Sequence, residues 1–391
     1  MRGFQKMAAV IAASLLVVSC NPVAAAENGI NVTYTATGTD ESAYEISGTD
    51  TAVLENAVIT KESGDASIAD DSSFKGVNAA VRAYGRAVLT LRGCSVESHA
   101  KNATGVFSYD QATIYISDSA VTVTGGGSGG IQVAGGGTLH ASNLTVTSAG
   151  KAAIRSDRGG GVLTVDGGTY TSTGSNGCPA IYSTADITVR NATCISTNSR
   201  AVIIEGKNSV TLENCIVEGN DQSTKSGSIR ANVLLYQSAS GDAKEGTSVF
   251  SMTGGSLKSS SGAMFYCTNT SSVVNLQGVV LELSEDGDLL IVSAGRWGKD
   301  GANGGKCTLN AVEQILEGDI EVDAISSLSM NMESSTFTGS VSGAGEVSVC
   351  LDSTSLWTLT ADSSVSSIEY SEGCLDLNGH TLYVNGEELV L

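Results

Sequence analysis

The stretch ITVRNATCISTNSRAVIIEGKNSVTLENC, residues 187–215, decides the fold because it contains the same short phrase twice. ITVRNA and VTLENC each alternate apolar and polar residues and then place an asparagine, Asn191 or Asn214. Alternation with a period of two is the mark of a half-buried strand. Asparagine enters the left-handed backbone region at small steric cost, so its place at the end of each phrase marks a sharp turn. The two asparagines stand 23 residues apart. That is too short for a domain and suits one unit of a repeat.

The phrase recurs in both directions as LTLRGC, IYISDS, LHASNL, LTVDGG, FSMTGG and VNLQGV, with Gly93, Asp118, Asn143, Gly167, Gly254 and Gly278 at the turn. Successive turns lie 23 to 25 residues apart, except for one interval of 40 between Asn214 and Gly254. A second phrase precedes each turn: AAVRAY, TGVFSY, GGIQVA, AAIRSD, PAIYST, RAVIIE, ANVLLY and GAMFYC. In it a small residue leads into an apolar one, and alternation follows. Each period therefore holds about three short strands, too little to bury a face alone, and stacking on the next copy completes the core. The result is an all-β parallel solenoid of roughly a dozen coils. At about 4.8 Å between stacked strands it makes a rod roughly 55–60 Å long. Val81, Val106, Ile131, Ile154, Ile181 and Val202 are predicted to form one inward ladder. Cys94, Ser119, Leu144, Gly168, Ala192 and Cys215 are predicted to form another near the turn.

This ladder resembles the right-handed parallel β-helix, or pectin-lyase-like, superfamily. Within it the chain resembles Gly/Ser/Thr-rich bacterial surface β-helix proteins without an assigned activity. The resemblance covers about residues 43–391 and implies one right-handed solenoid over 43–373, with terminal caps. Residues 20–42 are read as a tether and the start of the N-terminal cap, which extends to about residue 50. CLDLNGHTLYVNGEELVL, residues 374–391, is read as a closing coil or hairpin. Insertions near 220–247 and 294–306 are expected to project from the rod, where ligand contacts gather.

Composition agrees with short strands joined by turns: 47 glycines, 2 prolines and 5% aromatic residues. The formal charge is −20, and loss of Arg2 and Lys6 with a leader would make it −22. Such a surface repels nucleic acid and anionic headgroups. Residues 1–19 read as an export signal, with Arg2 and Lys6 before an apolar run too short to span a bilayer. VVSC, ending at Cys20, resembles the bacterial lipobox, which implies lipidation of Cys20 and a membrane-anchored surface location. Cleavage after the alanines at 24–26, giving a secreted chain, is the alternative. The eight later cysteines lie far apart with no CxxC pair, so a zinc site is poorly supported. Cys94 and Cys215 fit the core as small apolar residues.

The outward side chains of the second phrase share one face: Arg82, Tyr84, Phe107, Tyr109, Gln132, Arg155, Asp157, Tyr182, Glu205, Leu234 and Tyr236. It is expected to be exposed. Tyrosine offers an apolar ring with a polar tip, suited to a sugar or a protein partner. The plainer reading is that these rings only support strand neighbours. Arg155, Asp157 and Arg158, with Glu205 and Lys207 two coils on, form the densest charge cluster. An arginine fork for a carboxylated or sulfated sugar, or acid/base work by Arg155, Asp157 and Glu205, stands beside an ion-pair network. Trp297, between Arg296 and Lys299, is either a ligand-anchoring tip or a ring folded back on the rod.

Other motifs are weaker. GGGSGG, residues 125–130, matches a dinucleotide fingerprint and a nucleophile pattern at Ser128, yet IQVA follows instead of a helix. His99, His140 and His380 show no triad pattern. Enzymes of the resembled superfamily use Ca²⁺ with an arginine or lysine base, or an aspartate cluster, and neither signature is present. Asp65, Asp70 and Asp71 are the only candidate Ca²⁺ ligands, and a solvated polar loop is the plainer reading. No other cofactor is implied. The leading expectation is a lipid-anchored surface β-helix that binds a polysaccharide or a surface protein without catalysis. The alternatives are a polysaccharide lyase or glycoside hydrolase, and a structural envelope spacer.

Overall fold

The computed structural model describes residues 17–19, 28–224, 227–285 and 287–391. Cys20 and most of the expected export segment lie outside them. The chain is a single right-handed parallel β-helix with three faces per coil. One coil shows the plan. Val81–Ala83 lies on the third face, Val88–Arg92 on the first and Ser95–Ser98 on the second, and the chain then climbs to the third face again at Val106–Tyr109. The third face is an unbroken sheet of 12 strands running from Tyr44–Ile46 to Val341–Gly343.

The turn between the first and second faces is the recurring one. All eight turn residues read from the repeat are left-handed, with φ between 51° and 72°. Four more occupy the same place: Asn31 (φ 55°), Asn56 (φ 51°), Glu313 (φ 49°) and Ser334 (φ 49°). Val17–Ser19, at the end of the segment read as an export signal, pairs in parallel with Thr33–Thr35, and Gly29–Ile30 pairs in parallel with Leu54 and Glu55, so the segment read as a cap already belongs to the solenoid. At the other end Leu375–Asp376 and Leu382–Val384 still stack in parallel, and Glu387–Glu388 folds back antiparallel as a closing hairpin.

The interior follows the repeat. Val81, Val106, Ile131, Ile154, Ile181 and Val202 stand in register in successive coils, all fully buried. The ladder continues through Val233, Phe265, Leu290, Ile320 and Val341. Each such side chain contributes roughly 1.5–3 kcal/mol by leaving water. At the turn, Cys94, Leu144, Ala192 and Cys215 are buried, and Ser119 Oγ accepts the Cys94 N–H at 2.9 Å.

Three coils are longer than the rest, and every extra residue flanks the third face. The first addition, 62–80, precedes Val81–Ala83. The second has two parts, 220–230 before Ala231–Tyr236 and 237–246 after it. The third, 293–305, follows Leu290–Val292. The first contains the sole helix among the described residues, Ala69–Lys75, where a solvated loop was expected. Its seven residues are too few to show a helical period. Asp70 and Asp71 favour its N-terminal end, and an Asp71–Lys75 ion pair of 2.8 Å spans one turn.

Candidate functional site

The additions do not project into solvent; they fold back on the third face from both sides. Its outward residues are consequently not exposed as expected. Phe107, Gln132, Asp157, Glu205, Leu234 and Tyr236 are all buried. Phe107 packs with Ala79, Ala134 and Tyr109 beside the helix. Gly76 caps that helix with φ 70°, and a Cβ there would stand 2.5 Å from the Phe107 ring. Further along, Ile203, Leu234, Tyr236, Tyr266 and Ile291 form a second outer cluster, with Tyr182 and Trp297 packed against it.

Between these covers lies a cavity of about 370 Å³. Four cations line it, Lys151, Arg155, Arg200 and Arg296, together with four aromatic rings, Tyr182, Tyr236, Tyr266 and Trp297. No carboxylate belongs to its lining among the described residues. Four of the seven residues singled out for binding meet here: Arg155, Tyr182, Tyr236 and Trp297. The other three do not. Arg158 pairs with Asp242 at 2.6 Å and lies over the Phe74 ring; Tyr84 sits under the Arg82 guanidinium; Tyr109 belongs to the outer cluster by the helix.

Arg155 is held by Asp157, whose Oδ2 accepts its Nε–H at 3.0 Å and its Nη2–H at 2.7 Å. The guanidinium lies 4.4 Å over the Tyr182 ring, a cation–π contact that fixes both planes. Asp157 Oδ1 accepts the backbone N–H of Arg158 at 3.0 Å. The expected Arg155–Asp157–Arg158 network therefore exists on one side only. Glu205 is tied more completely. Its Oε2 accepts hydroxyl bonds from Tyr182 at 2.5 Å and Tyr236 at 2.9 Å, and its Oε1 accepts from Ser238 and, at 3.4 Å, from Ser240. Burial and the nearby Glu205 charge push the Tyr182 and Tyr236 phenols well above their ordinary range. Asp157 and Glu205 are each 1% exposed. Both carboxylates accept from protein donors and lie outside the lining, so of the acid/base candidates Arg155, Asp157 and Glu205 only Arg155 reaches the cleft.

The repeat did not point to Lys151, Arg200 and Tyr266. Lys151 and Arg200 lie at the bend into the third face; Arg200 opens the phrase RAVIIE and Lys151 directly precedes AAIRSD, and these positions were the available signal. Arg200 pairs with Asp221 at 3.1 Å and donates to Ile229 O at 2.6 Å, and burial lowers its pKa. Lys151 Nζ donates to Ser73 Oγ of the helix at 2.6 Å. Burial, and then the neighbouring Arg155 charge, bring its pKa down to about 8. Arg296 stacks 4.2 Å over Trp297, whose ring centre is 5.4 Å from that of Tyr236. Asn303 Nδ2 donates to the carbonyls of Gly295 and Trp297 and holds this tip in place. Lys151 and Arg296 are the lining cations with no carboxylate in ion-pair range among the described residues.

The remaining candidates are scattered. Asp65 accepts from Asn102 at 2.8 Å and Lys101 at 3.2 Å, which holds its pKa low, while Asp71 pairs with Lys75. No group of three or more His, Cys, Asp or Glu side chains converges as a metal site among the described residues. Ser128 is buried and accepts the Ala103 N–H at 2.6 Å. Lys207 is exposed, away from the lining. Compared with known protein families, curated proteins and solved structures, the chain finds no match.

Proposed function

We propose that the protein is a surface β-helix, anchored through a lipid on Cys20, that binds an anionic glycan in the third-face cleft without altering it. The observation that carries this reading is the lining itself: four cations and four aromatic rings, with no carboxylate among the described residues, on a chain of net charge −20. The overall field repels anions, so a cluster of cations on one face serves an anionic ligand. Aromatic rings add flat apolar faces on which sugar rings stack, and Arg155 and Arg296 are held planar against two of them. The resemblance of the sequence repeat to pectin-lyase-like proteins implies a ligand along an outer face, in keeping with this reading.

The test is a glycan array followed by titration calorimetry with oligouronates, sulfated oligosaccharides and neutral oligosaccharides of equal length. Acidic oligosaccharides are expected to bind, and Trp297→Ala and Lys151→Met each to weaken binding about tenfold, the loss of roughly 1.4 kcal/mol. Tyr109→Ala is expected to bind as the wild type does. Absence of glycan binding would overturn the proposal and favour a protein partner or an envelope spacer. For the anchor, Cys20→Ala is expected to release the chain from the membrane fraction.

A second reading, elimination on a uronate by a polysaccharide lyase, is favoured by Lys151. With a pKa of about 8, roughly a tenth of it is a free base at neutral pH, available for proton abstraction. Ultraviolet absorbance of an unsaturated uronate product, abolished in Lys151→Met, would distinguish this reading from binding alone.

A further inference from the structure

We propose that Cys267 and Cys307 form a disulfide bond that ties down the base of the third addition. Cys267 lies on the third-face strand Ala263–Thr268, and Cys307 on the first-face strand Lys306–Val312 one coil further on. Their sulfurs stand 3.5 Å apart in the core. Cys267 stacks on Val292 and Cys307 on Ser272, so the two thiols face each other across the bend between adjacent coils. The backbone is drawn in for this approach: at Gly305 a Cβ would meet the carbonyl oxygen of Cys267 at 2.5 Å. A disulfide needs its sulfurs near 2.05 Å, so oxidation requires the two sulfurs to close further from 3.5 Å.

The two thiols differ in access. Cys267 is fully buried, and its neighbouring sulfur, together with burial, holds it as a thiol. Cys307 is 4% exposed and borders a surface depression with Ser271, Lys306 and Ser327. This sets the order of events with a small disulfide as oxidant. The Cys307 thiolate attacks oxidised glutathione, forming a protein–glutathione disulfide and releasing one reduced glutathione. Cys267 sulfur then attacks Cys307 sulfur. A second glutathione leaves and takes the Cys267 proton, so two protein thiols are oxidised and one glutathione disulfide is reduced. The closed loop contains the whole third addition, including Arg296 and Trp297, and so fixes the wall of the cleft.

The full chain, purified in reductant and then freed of it, would be incubated with oxidised glutathione, unfolded in acid and alkylated. The wild type is expected to carry two fewer alkylated thiols than its reduced control, with the peptides of Cys267 and Cys307 linked after digestion. Cys267→Ala is expected to accumulate glutathione on Cys307, and Cys307→Ala to form neither linkage. The oxidised wild type is expected to melt several degrees above the reduced form. Full alkylation of the oxidised wild type, or a different linked pair, would overturn the proposal. The wild-type peptide map decides even if a variant does not fold. Glycan binding plays no part in the readout.

Discussion

The Tyr182 hydroxyl donates to Oε2 of Glu205 at 2.5 Å, reaching from one coil to the next across the third face. Because Tyr236 donates to the same oxygen from the following coil, one carboxylate sets the orientation of two rings in the cleft. A buried anion is tolerable only when its acceptor sites are filled, and here hydroxyl groups fill them on both oxygens.

Replacing Glu205 with glutamine puts an NH2 group where hydroxyl donors converge. Glu205→Gln is expected to cost about 1–3 kcal/mol in urea unfolding. It is also expected to alter the near-ultraviolet circular dichroism of the tyrosines and of Trp297, which packs on Tyr236. An unchanged spectrum would mean that the rings are oriented by packing alone.

Lys151 makes stability depend on pH in a definite sense. Its pKa falls from 10.5 unfolded to about 8 folded, so between these values the unfolded chain holds more protons. The penalty of burying the charged amine is complete below pH 8 and disappears as pH rises towards 10.5. Stability is therefore expected to climb over that window in the wild type and to stay flatter in Lys151→Met. Affinity for an anionic ligand moves the opposite way, falling as pH passes 8 and the positive charge is lost. Chemical denaturation and calorimetry at pH 7, 8 and 9 check both slopes.

Two turns carry residues that suit the left-handed region poorly, Glu313 and Ser334, both at φ 49°. Their side chains incur a steric cost of up to about 1–2 kcal/mol that glycine or asparagine reduces. Glu313→Asn and Ser334→Asn are each expected to raise the melting temperature, and Asn191→Val to lower it. No rise in either variant would show that local contacts already offset the strain.

On the first face, Asn310 Nδ2 donates to Asn275 Oδ1 at 2.8 Å and Asn331 Nδ2 to Asn310 Oδ1 at 2.9 Å. The ladder continues from Asn275 Nδ2 to Ser251 Oγ at 3.0 Å; Asn310→Ala breaks two of its bonds and is expected to cost about 1 kcal/mol. A double-mutant cycle with Asn275→Ala would reveal the coupling as a smaller combined loss than the sum.

The solenoid was legible because its signal repeats. Asn191 alone is weak evidence, but eight turn residues with constant spacing in all but one interval leave few other folds, and the inward ladder from Val81 to Val202 followed from alternation. The same logic failed where the repeat pauses. The turns at Glu313 and Ser334 lack the residue types that announce a turn, and the helix at Ala69–Lys75 is shorter than the pattern that would reveal it. Alternation correctly placed Tyr182, Glu205 and Tyr236 outward. It could not show that outward means covered, because the covering comes from segments with no period. Lys151 and Arg200 become part of a cleft only through what folds over them.

From Asn31 to Ser334 the turn between the first and second faces never lengthens; all added chain enters at the two bends beside the third face. Inheritance of the rod and inheritance of the cleft thus rest on separate sets of residues. A loop can be exchanged at one bend without disturbing the register at the opposite turn. The same scaffold can be readdressed to a new ligand by altering four short segments and the outward side chains of the third face, while the turns and the inward ladders record only the geometry of stacking.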